Sequence, residues 1–206
     1  EMILTHYAVH MARYEREGRK SHLYYNTAGT GQYVWKKDTV IDCTFPQVLD
    51  RMVEEFPDQY AFKYTTLDYT RTYAQFRDDV DQFARSLIAL GVKPGDKVAV
   101  WATNVPWWIA LQFATARIGA ILLTVNTNYR EHELRYVLGQ SEYENIFLIY
   151  SLRDHNFIET LYAIAPELRV QPRAGGLRSR DLPHLRRACF LGAEKYRGMF
   201  SMPEIL

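Results

Sequence analysis

The most apolar stretch of the sequence lies between residues 91 and 127, and it contains clear start and end signals. After a Pro-Gly-Asp turn, residues 97–102 form a β-prone run, residues 107–118 are apolar on nearly every side of a helix, and residues 120–125 form a second apolar strand. A helix without a polar face must be covered on more than one side. The stretch therefore predicts a buried strand, helix and strand, with a right-handed crossover that joins two parallel strands.

Three residues at the start of the predicted helix are candidate site residues. Asn104 stands where an N-cap belongs, and Pro106 follows in the first turn, where proline is tolerated. Trp107 and Trp108 are candidates to line an apolar ligand pocket, although tryptophans in such a run more often belong to a core. We expect Asn104 chiefly to cap the helix and the tryptophans chiefly to pack in the core, with a secondary role for all three in substrate binding.

The regions on either side predict alternating helices and strands. Capping boxes are predicted at three positions: Thr44 with Gln47, Thr72 with Gln75, and Asn128 with Glu131. Before the central unit, the predicted elements are a helix over 45–56, a hairpin of 60–66 and 70–72, and a helix that starts from the capping box at Thr72 and ends at Leu90. After it, they are a helix that ends at Gly139, a strand over 145–149, a helix over 154–165, a strand over 187–191 and the start of a helix at 201–206. This order predicts an α/β fold in which a mostly parallel sheet carries helices on both faces and the hairpin lies at one edge.

The bulk composition gives no reason to expect a nucleic-acid or membrane partner. The net charge is +1, with 48% apolar and 24% charged residues, which is ordinary for a globular protein. Polar residues interrupt the apolar run over 98–125 and argue against a membrane span. The first residues lack a secretory signal, and Cys43 and Cys189 are too few for a disulfide framework or a thiolate zinc site. We therefore expect a cytoplasmic protein.

Residues 167–187 change in character, because they have little periodicity and are rich in arginine. The arginines are Arg169, Arg173, Arg178, Arg180, Arg186 and Arg187. We interpret the segment as a long exposed connection. A contact with phosphate or RNA is the alternative, but the segment lacks interleaved aromatic residues and a recognisable motif, so a solvated loop is favoured.

Residues 1–43 show no sustained period and are interpreted as an N-terminal arm. His6 and His10 have the spacing of a helical metal pair, but no glutamate lies between them and no third ligand is evident, so a surface pair is favoured. Residues 27–32, which two lysines follow, are a candidate phosphate loop without the spacing of a known nucleotide motif. No nucleophile elbow, metal cluster or pair of catalytic carboxylates is evident, and no catalytic, cofactor-binding or metal-binding residue is assigned.

Several pieces of the sequence occur in the order and spacing of a known family. They are Thr72-Tyr73-Ala74 at a helix start, Gly91-Val92 before Gly95-Asp96-Lys97-Val98, Asn104 before the apolar helix, Gly119-Ala120, and Asn126-Thr127-Asn128-Tyr129-Arg130 before Glu133-Leu134. Over residues 44–149 the chain resembles the N-terminal part of the AMP-forming acyl-CoA synthetases, which are adenylate-forming ligases. The resemblance implies that residues 44–206 form part of an N-terminal AMP-binding domain.

The resemblance also implies a two-step reaction. A carboxylate attacks the α-phosphate of ATP to give an acyl-adenylate and pyrophosphate, and the CoA thiol then displaces AMP to give a thioester, with Mg²⁺ accompanying ATP. Residues 126–130 are most similar to the fatty-acyl branch, which implies a fatty or related carboxylic acid as substrate. The alternatives are an aryl-acid ligase, a peptide-synthetase adenylation domain, and a non-catalytic docking module on the same fold.

The family's phosphate loop, adenine pocket, ribose-binding aspartate and catalytic lysine have no counterpart in this sequence. We therefore expect an N-terminal fragment that is truncated before the phosphate loop, is inactive alone and binds neither ATP, Mg²⁺ nor CoA. A domain cut at this point would expose apolar surface, so we expect the fragment to self-associate.

Overall fold

The computed structural model describes residues 42–206, which fold as an α/β domain. The helices are α1 (Phe45–Glu55), α2 (Tyr73–Ala89), α3 (Pro106–Arg117), α4 (Glu131–Gln140), α5 (Phe157–Ile164), α6 (Glu167–Val170) and α7 (Met202–Ile205). The strands are β1 (Tyr60–Tyr64), β2 (Tyr69–Thr72), β3 (Lys97–Trp101), β4 (Ile121–Thr124), β5 (Asn145–Leu148), β6 (Ser151–Leu152), β7 (His155–Asn156), β8 (Arg187–Phe190) and β9 (Met199–Ser201). The predicted order of elements is confirmed.

A five-stranded parallel sheet forms the centre of the domain, with strand order β4-β3-β5-β8-β9. Side chains of β3 alternate between two hydrophobic clusters, because successive residues of a strand point to opposite faces. Val98 and Val100 belong to the cluster beneath α1, α2 and α3, whereas Ala99 and Trp101 belong to the cluster beneath α4 and α5. Helices therefore cover both faces of the sheet, as the sequence predicted.

Helix α3 is enclosed on more than one side, which confirms the prediction from its apolar sequence. Each of its residues is buried or half-buried, and Ala110, Leu111 and Ala114 are completely buried. One side of the helix faces the sheet, and the other is covered by α1 and α2.

Arg117, the last residue of α3, connects the three helices of this layer. Its guanidinium donates two hydrogen bonds to Asp50 of α1, at 2.6 and 2.9 Å, and one to Asp81 of α2, at 2.9 Å. The hydrogen bond from Arg117 lowers the pKa of Asp50 below its usual range. A bidentate pair fixes orientation as well as distance, so Arg117 sets how α1 and α2 lie on α3.

Two of the predicted capping arrangements are wrong. Asn104 is exposed and does not cap α3, because the N-cap is Val105 and its side chain makes no capping hydrogen bond. Pro106 explains this, because the residue before a proline is disfavoured in the helical conformation. Val105 is accordingly extended, with φ −101° and ψ 154°, and takes the N-cap position in place of Asn104. Asn128 does not cap α4 either: its N–H donates to the side chain of Asn126, and α4 begins two residues later than predicted, after Arg130.

Other differences concern short elements and one long segment. Helix α4 continues through Gly139 to Gln140. The hairpin of β1 and β2 forms a separate two-stranded sheet rather than an edge of the main sheet. A second small hairpin, β6 and β7, occupies the predicted start of α5, and β9 adds an unpredicted strand to the main sheet.

The interpretation of residues 167–187 as an exposed connection is only partly correct, because an irregular chain with exposed arginines also carries buried leucines. Four leucines of this segment are completely or almost completely buried in the core beneath α4 and α5: Leu168, Leu177, Leu182 and Leu185. Their spacing follows neither a helix nor a strand, so periodicity did not reveal them. The irregular backbone places each leucine individually.

Replacement of Arg117 by methionine is expected to destabilise the domain. Arg117→Met removes three charge-assisted hydrogen bonds and leaves Asp50 and Asp81 without their partner, so the free energy of unfolding should fall by about 1–2 kcal/mol. Urea denaturation measures this change. Arg85→Met is the matched control, because Arg85 is exposed on α2 and makes no ion pair with another described residue, so its replacement should change stability by less than about 0.5 kcal/mol. Equal effects of the two substitutions would contradict the role given to Arg117.

Candidate functional site

The edge of the sheet at which the parallel strands have their carboxyl ends, called the carboxyl edge, is the candidate position of a ligand site. From β3 the chain crosses to β4 on one side, whereas β5 is followed by β8 and β9 on the other side. Adjacent strands whose connections leave in opposite directions form a crevice at their carboxyl ends, where open α/β sheets bind ligands. In this domain the crevice lies beyond β3 and β5.

An aromatic cluster fills part of this edge. Trp101, the last residue of β3, stacks on Phe157 with ring centroids 4.0 Å apart, and the ring of His155 meets both edge-on, at 5.5 and 4.9 Å. The indole N–H of Trp101 donates to the carbonyl oxygen of Asn126 at 3.2 Å. The three rings are buried, so the hairpin that carries His155 closes this section of the edge.

The environment of His155 favours its neutral form. Its Nε2 lies 2.9 Å from the hydroxyl of Thr160, and its Nδ1 is buried without a hydrogen-bond partner. Burial and the positive charge of Arg130 lower the pKa of His155 below its ordinary value of 6.5, against the smaller opposing effects of the Thr127 backbone and of Asp154. Because the charged form is disfavoured, the imidazole serves in this cluster as a packed ring rather than as a proton donor.

Asn104 and Tyr150 remain accessible at the carboxyl edge. Asn104 lies in the exposed loop between β3 and α3. Tyr150 follows β5, is 49% exposed, and stacks on Tyr196 with ring centroids 6.1 Å apart. Phe190 supports Tyr196 from below, edge to face at 4.8 Å. Sequence reasoning identified Asn104 but missed Tyr150, whose position directly after a predicted strand was the available signal.

The structure separates the two candidate tryptophans. Trp107 packs against Tyr69 and Phe83, with ring centroids 6.3 and 6.2 Å apart, and so belongs with the aromatic core. Trp108 lines an open groove of about 260 Å³ beside β4. The other residues lining this lateral groove are Phe45, Gln112, Thr115, Ala116, Ala120, Leu122 and Thr124.

The lateral groove combines residues that are distant in sequence. Trp108, Gln112 and Ala116 are four residues apart along α3 and therefore share one helix face, a signal that was present in the sequence. Phe45 and Leu122 reach the groove only through the packing of α1 and β4, which no local pattern showed. Of the three candidates Asn104, Trp107 and Trp108, Trp108 alone lines this groove.

Among residues 42–206, neither a metal site nor a reactive Cys189 thiol is present. Within residues 42–206 no group of three histidine, cysteine, aspartate or glutamate side chains is placed to hold a metal ion. Burial raises the pKa of the Cys189 thiol, so this cysteine is not a nucleophile. Over the same residues no helix is long and apolar enough to cross a membrane. The His6–His10 pair and the glycine-rich loop at 27–32 lie outside the described residues.

Three of the arginines in residues 167–187 are engaged within the domain. Arg169 pairs with Glu159 and lies over the ring of Tyr162, Arg186 donates to the carbonyl oxygen of Pro183, and Arg187 donates to the side chain of Asn145. These side chains stabilise the irregular backbone rather than form a continuous basic surface. The geometry thus favours the structural interpretation over a phosphate contact.

Comparison with known proteins decides the family. The family model for AMP-binding enzymes matches residues 49–194, which is most of the chain. This chain belongs to the AMP-binding enzyme family. The match includes all strands of the parallel sheet except β9, together with α3 and most residues of both clusters beneath the helices.

Relatives of this AMP-binding chain are acyl-CoA synthetases and ligases. The Bacillus subtilis protein YngI, named as an acyl-CoA synthetase, is 37% identical over 161 residues, which cover 78% of this chain and 29% of YngI. The mitochondrial medium-chain acyl-CoA ligase ACSF2 of Danio rerio is 32% identical over 142 residues, which cover 69% of this chain and 23% of the ligase. The chain thus spans less than a third of the length of these relatives.

A solved structure supports the fold. A Rhodopseudomonas palustris protein named as a long-chain-fatty-acid CoA ligase superposes with a TM-score of 0.64 over 81% of this chain and 37% of that one, at 24% identity. The resemblance stated from the sequence motifs is therefore confirmed at the level of family and fold.

The stability of the domain is expected to depend on pH through His155. Because the folded-state pKa lies below 6.5, the unfolded chain takes up a proton at His155 at a higher pH than the folded chain does. The free energy of unfolding should therefore decrease as the pH falls below about 6.5, by at most about 1.4 kcal/mol per pH unit for one proton. Urea denaturation at pH 7 and pH 5.5 should show a smaller difference in His155→Gln than in the wild type. An unchanged difference would contradict the neutral, buried state of His155.

Proposed function

We propose that this chain is the N-terminal part of an ATP-dependent, AMP-forming acyl-CoA synthetase. The observation that carries the proposal is the match of residues 49–194 to the AMP-binding enzymes, joined to relatives that are named as acyl-CoA synthetases or ligases. In the reaction, a carboxylate and ATP form an acyl-adenylate and pyrophosphate, and CoA then takes the acyl group and releases AMP. The arm is proposed to comprise residues 1–43, and the partial AMP-binding domain residues 44–206.

The proposed substrate is a medium-chain or related fatty acid. Support comes from the 32% identity to a medium-chain acyl-CoA ligase and from the similarity of residues 126–130 to the fatty-acyl branch of the family. Asn104 is the most suitable of the three candidate residues for a substrate contact, because it is exposed at the carboxyl edge of the sheet. Trp107 and Trp108 are proposed to act mainly in packing, the first in the aromatic core and the second in the wall of the lateral groove.

ATP, its Mg²⁺ and CoA are proposed to bind through parts of the synthetase outside residues 42–206. The aspartates of the helical layer are already paired, Asp50 and Asp81 with Arg117 and Asp79 with Arg71. They therefore do not fit the open oxygen ligation that Mg²⁺ requires. The described residues supply the scaffold of the first subdomain, and the chain alone is proposed to be inactive.

Two further properties are inferred. The free cysteines Cys43 and Cys189 fit a reducing compartment, so the cytoplasm is proposed, with the mitochondrion of the ACSF2 relatives as the alternative. The isolated chain is also inferred to self-associate, because apolar side chains such as Phe45 and Ile121 are 57% and 46% exposed at its surface.

Pyrophosphate release tests the proposed function. The chain of 206 residues and the whole reading frame that contains it should be assayed in parallel with ATP, Mg²⁺, CoA and one acid at a time: hexanoate, octanoate, palmitate or benzoate. We expect no release above background from the chain alone, because it lacks the family's phosphate loop, and release from the whole product that is strongest with hexanoate or octanoate.

Each other outcome of the pyrophosphate assay contradicts a particular part of the proposed function. Pyrophosphate from the chain alone would contradict its inactivity, and a preference for benzoate would favour an aryl-acid ligase. A reading frame that ends without a phosphate loop would contradict the synthetase and favour a docking module.

A further inference from the structure

The outer side of β4 is an open sheet edge. Strand β4 lies at one end of the sheet, and among the described residues no other strand pairs with its outer side. The N–H of Ile121 donates to the carbonyl of Asp96, and the N–H of Val125 donates to that of Val100, so these residues face β3. Because hydrogen-bonding direction alternates along a strand, Leu122 and Thr124 direct their N–H and C=O groups to the outer side.

Apart from its short length of four residues, this edge lacks the features that usually prevent strand pairing. Natural edge strands are blocked by charged side chains, proline, bulges or very short length. Residues 120–129 contain neither a charged residue nor a proline, and the pairing of β4 with β3 is regular throughout. The opposite edge of the sheet, β9, has only three residues. The edge of β4 is therefore the better template for an additional strand.

The lateral groove extends the apolar surface of this edge. Leu122 and Thr124, whose backbone groups face outward, also line the groove with their side chains, beside Phe45 and Trp108. No charged residue lines the groove. A strand added to β4 would therefore place its side chains against an uncharged, mainly apolar wall.

We propose that two copies of the chain pair their β4 strands in antiparallel orientation about a two-fold axis beside Leu123. This inference rests on the self-association inferred above and names its surface. Leu122 of one copy lies opposite Thr124 of the second copy, and the two Leu123 residues face each other. Four backbone hydrogen bonds form, because the outward N–H and C=O groups of Leu122 and Thr124 meet those of the second copy in this register.

A second copy fits this edge for reasons of charge and symmetry. It supplies an uncharged strand, so no charge is desolvated against the groove and no like charges oppose one another. A two-fold arrangement uses both open edges and closes as a dimer rather than continuing as a fibre. A four-residue edge buries far less than the roughly 1,600 Å² of a standard stable interface, so the dimer is expected to be weak and dependent on concentration.

Sedimentation equilibrium of the wild-type chain and of edge variants tests this proposal. Thr124→Pro removes the outward N–H in both copies and is compatible with an edge strand, where that N–H has no partner in the monomer. Two of four hydrogen bonds are lost, so the dimer should dissociate about tenfold more readily. Thr124→Lys should also weaken the dimer, because it places a charge at the edge. This variant replaces Thr124→Pro in the test if circular dichroism shows that Thr124→Pro does not fold.

Two control variants distinguish pairing of the β4 strands from nonspecific association of exposed apolar surface. Thr124→Val keeps the N–H and the shape of the side chain, so its dimer should match that of the wild type. Val170→Lys charges an apolar residue that is 73% exposed and lies elsewhere on the domain, and it should also leave the dimer unchanged.

The possible failures are distinguishable. A wild-type chain that stays monomeric at every concentration would overturn both the self-association and this surface. A wild-type dimer that Thr124→Pro and Thr124→Lys leave intact, or that Val170→Lys weakens equally, would overturn the edge pairing alone. The assignment to the acyl-CoA synthetases is tested separately by pyrophosphate release.

Discussion

Helix α3 is apolar on nearly every side, and the helical layer is built around that constraint. The sheet covers one side, and α1 and α2 cover the other. The single charge of the helix, on Arg117, stands at its last residue, where it pairs with carboxylates of both covering helices. Hydrophobic burial, which has no direction, thus holds the layers together, and a directional ion pair fixes how they lie.

The unit of β3, α3 and β4 places β3 between β4 and β5 in the sheet, with the carboxyl end of β3 at the crevice. There the chain uses Trp101, His155 and Phe157 to close part of the edge. Asn104 and the stacked Tyr150 stay accessible nearby, as do Asn126 and Arg130 after β4. A scaffold that closes its own crevice with packed rings is consistent with a subdomain whose catalytic groups come from elsewhere in a synthetase.

Sequence reasoning predicted what depends on local pattern. The enclosed α3, the parallel strands and the capping boxes at Thr44 and Thr72 are present as expected. The failures arose where tertiary packing decides. Pro106 keeps Val105 out of the helix, so Val105 rather than Asn104 is the N-cap, and the leucines of residues 167–187 enter the core without any period. The lateral groove combines α1, α3 and β4, so only the share contributed by the face of α3 was visible in the sequence.

Native-state hydrogen exchange tests most directly whether the unit of β3, α3 and β4 is the structural spine of the domain. The amides of β3 and α3 are predicted to be the slowest to exchange, at the rate set by global unfolding, because they belong to the most buried elements. The amides of the separate β1–β2 hairpin should exchange earlier through local opening. Exchange of β3 and α3 as fast as that of the hairpin would contradict the account.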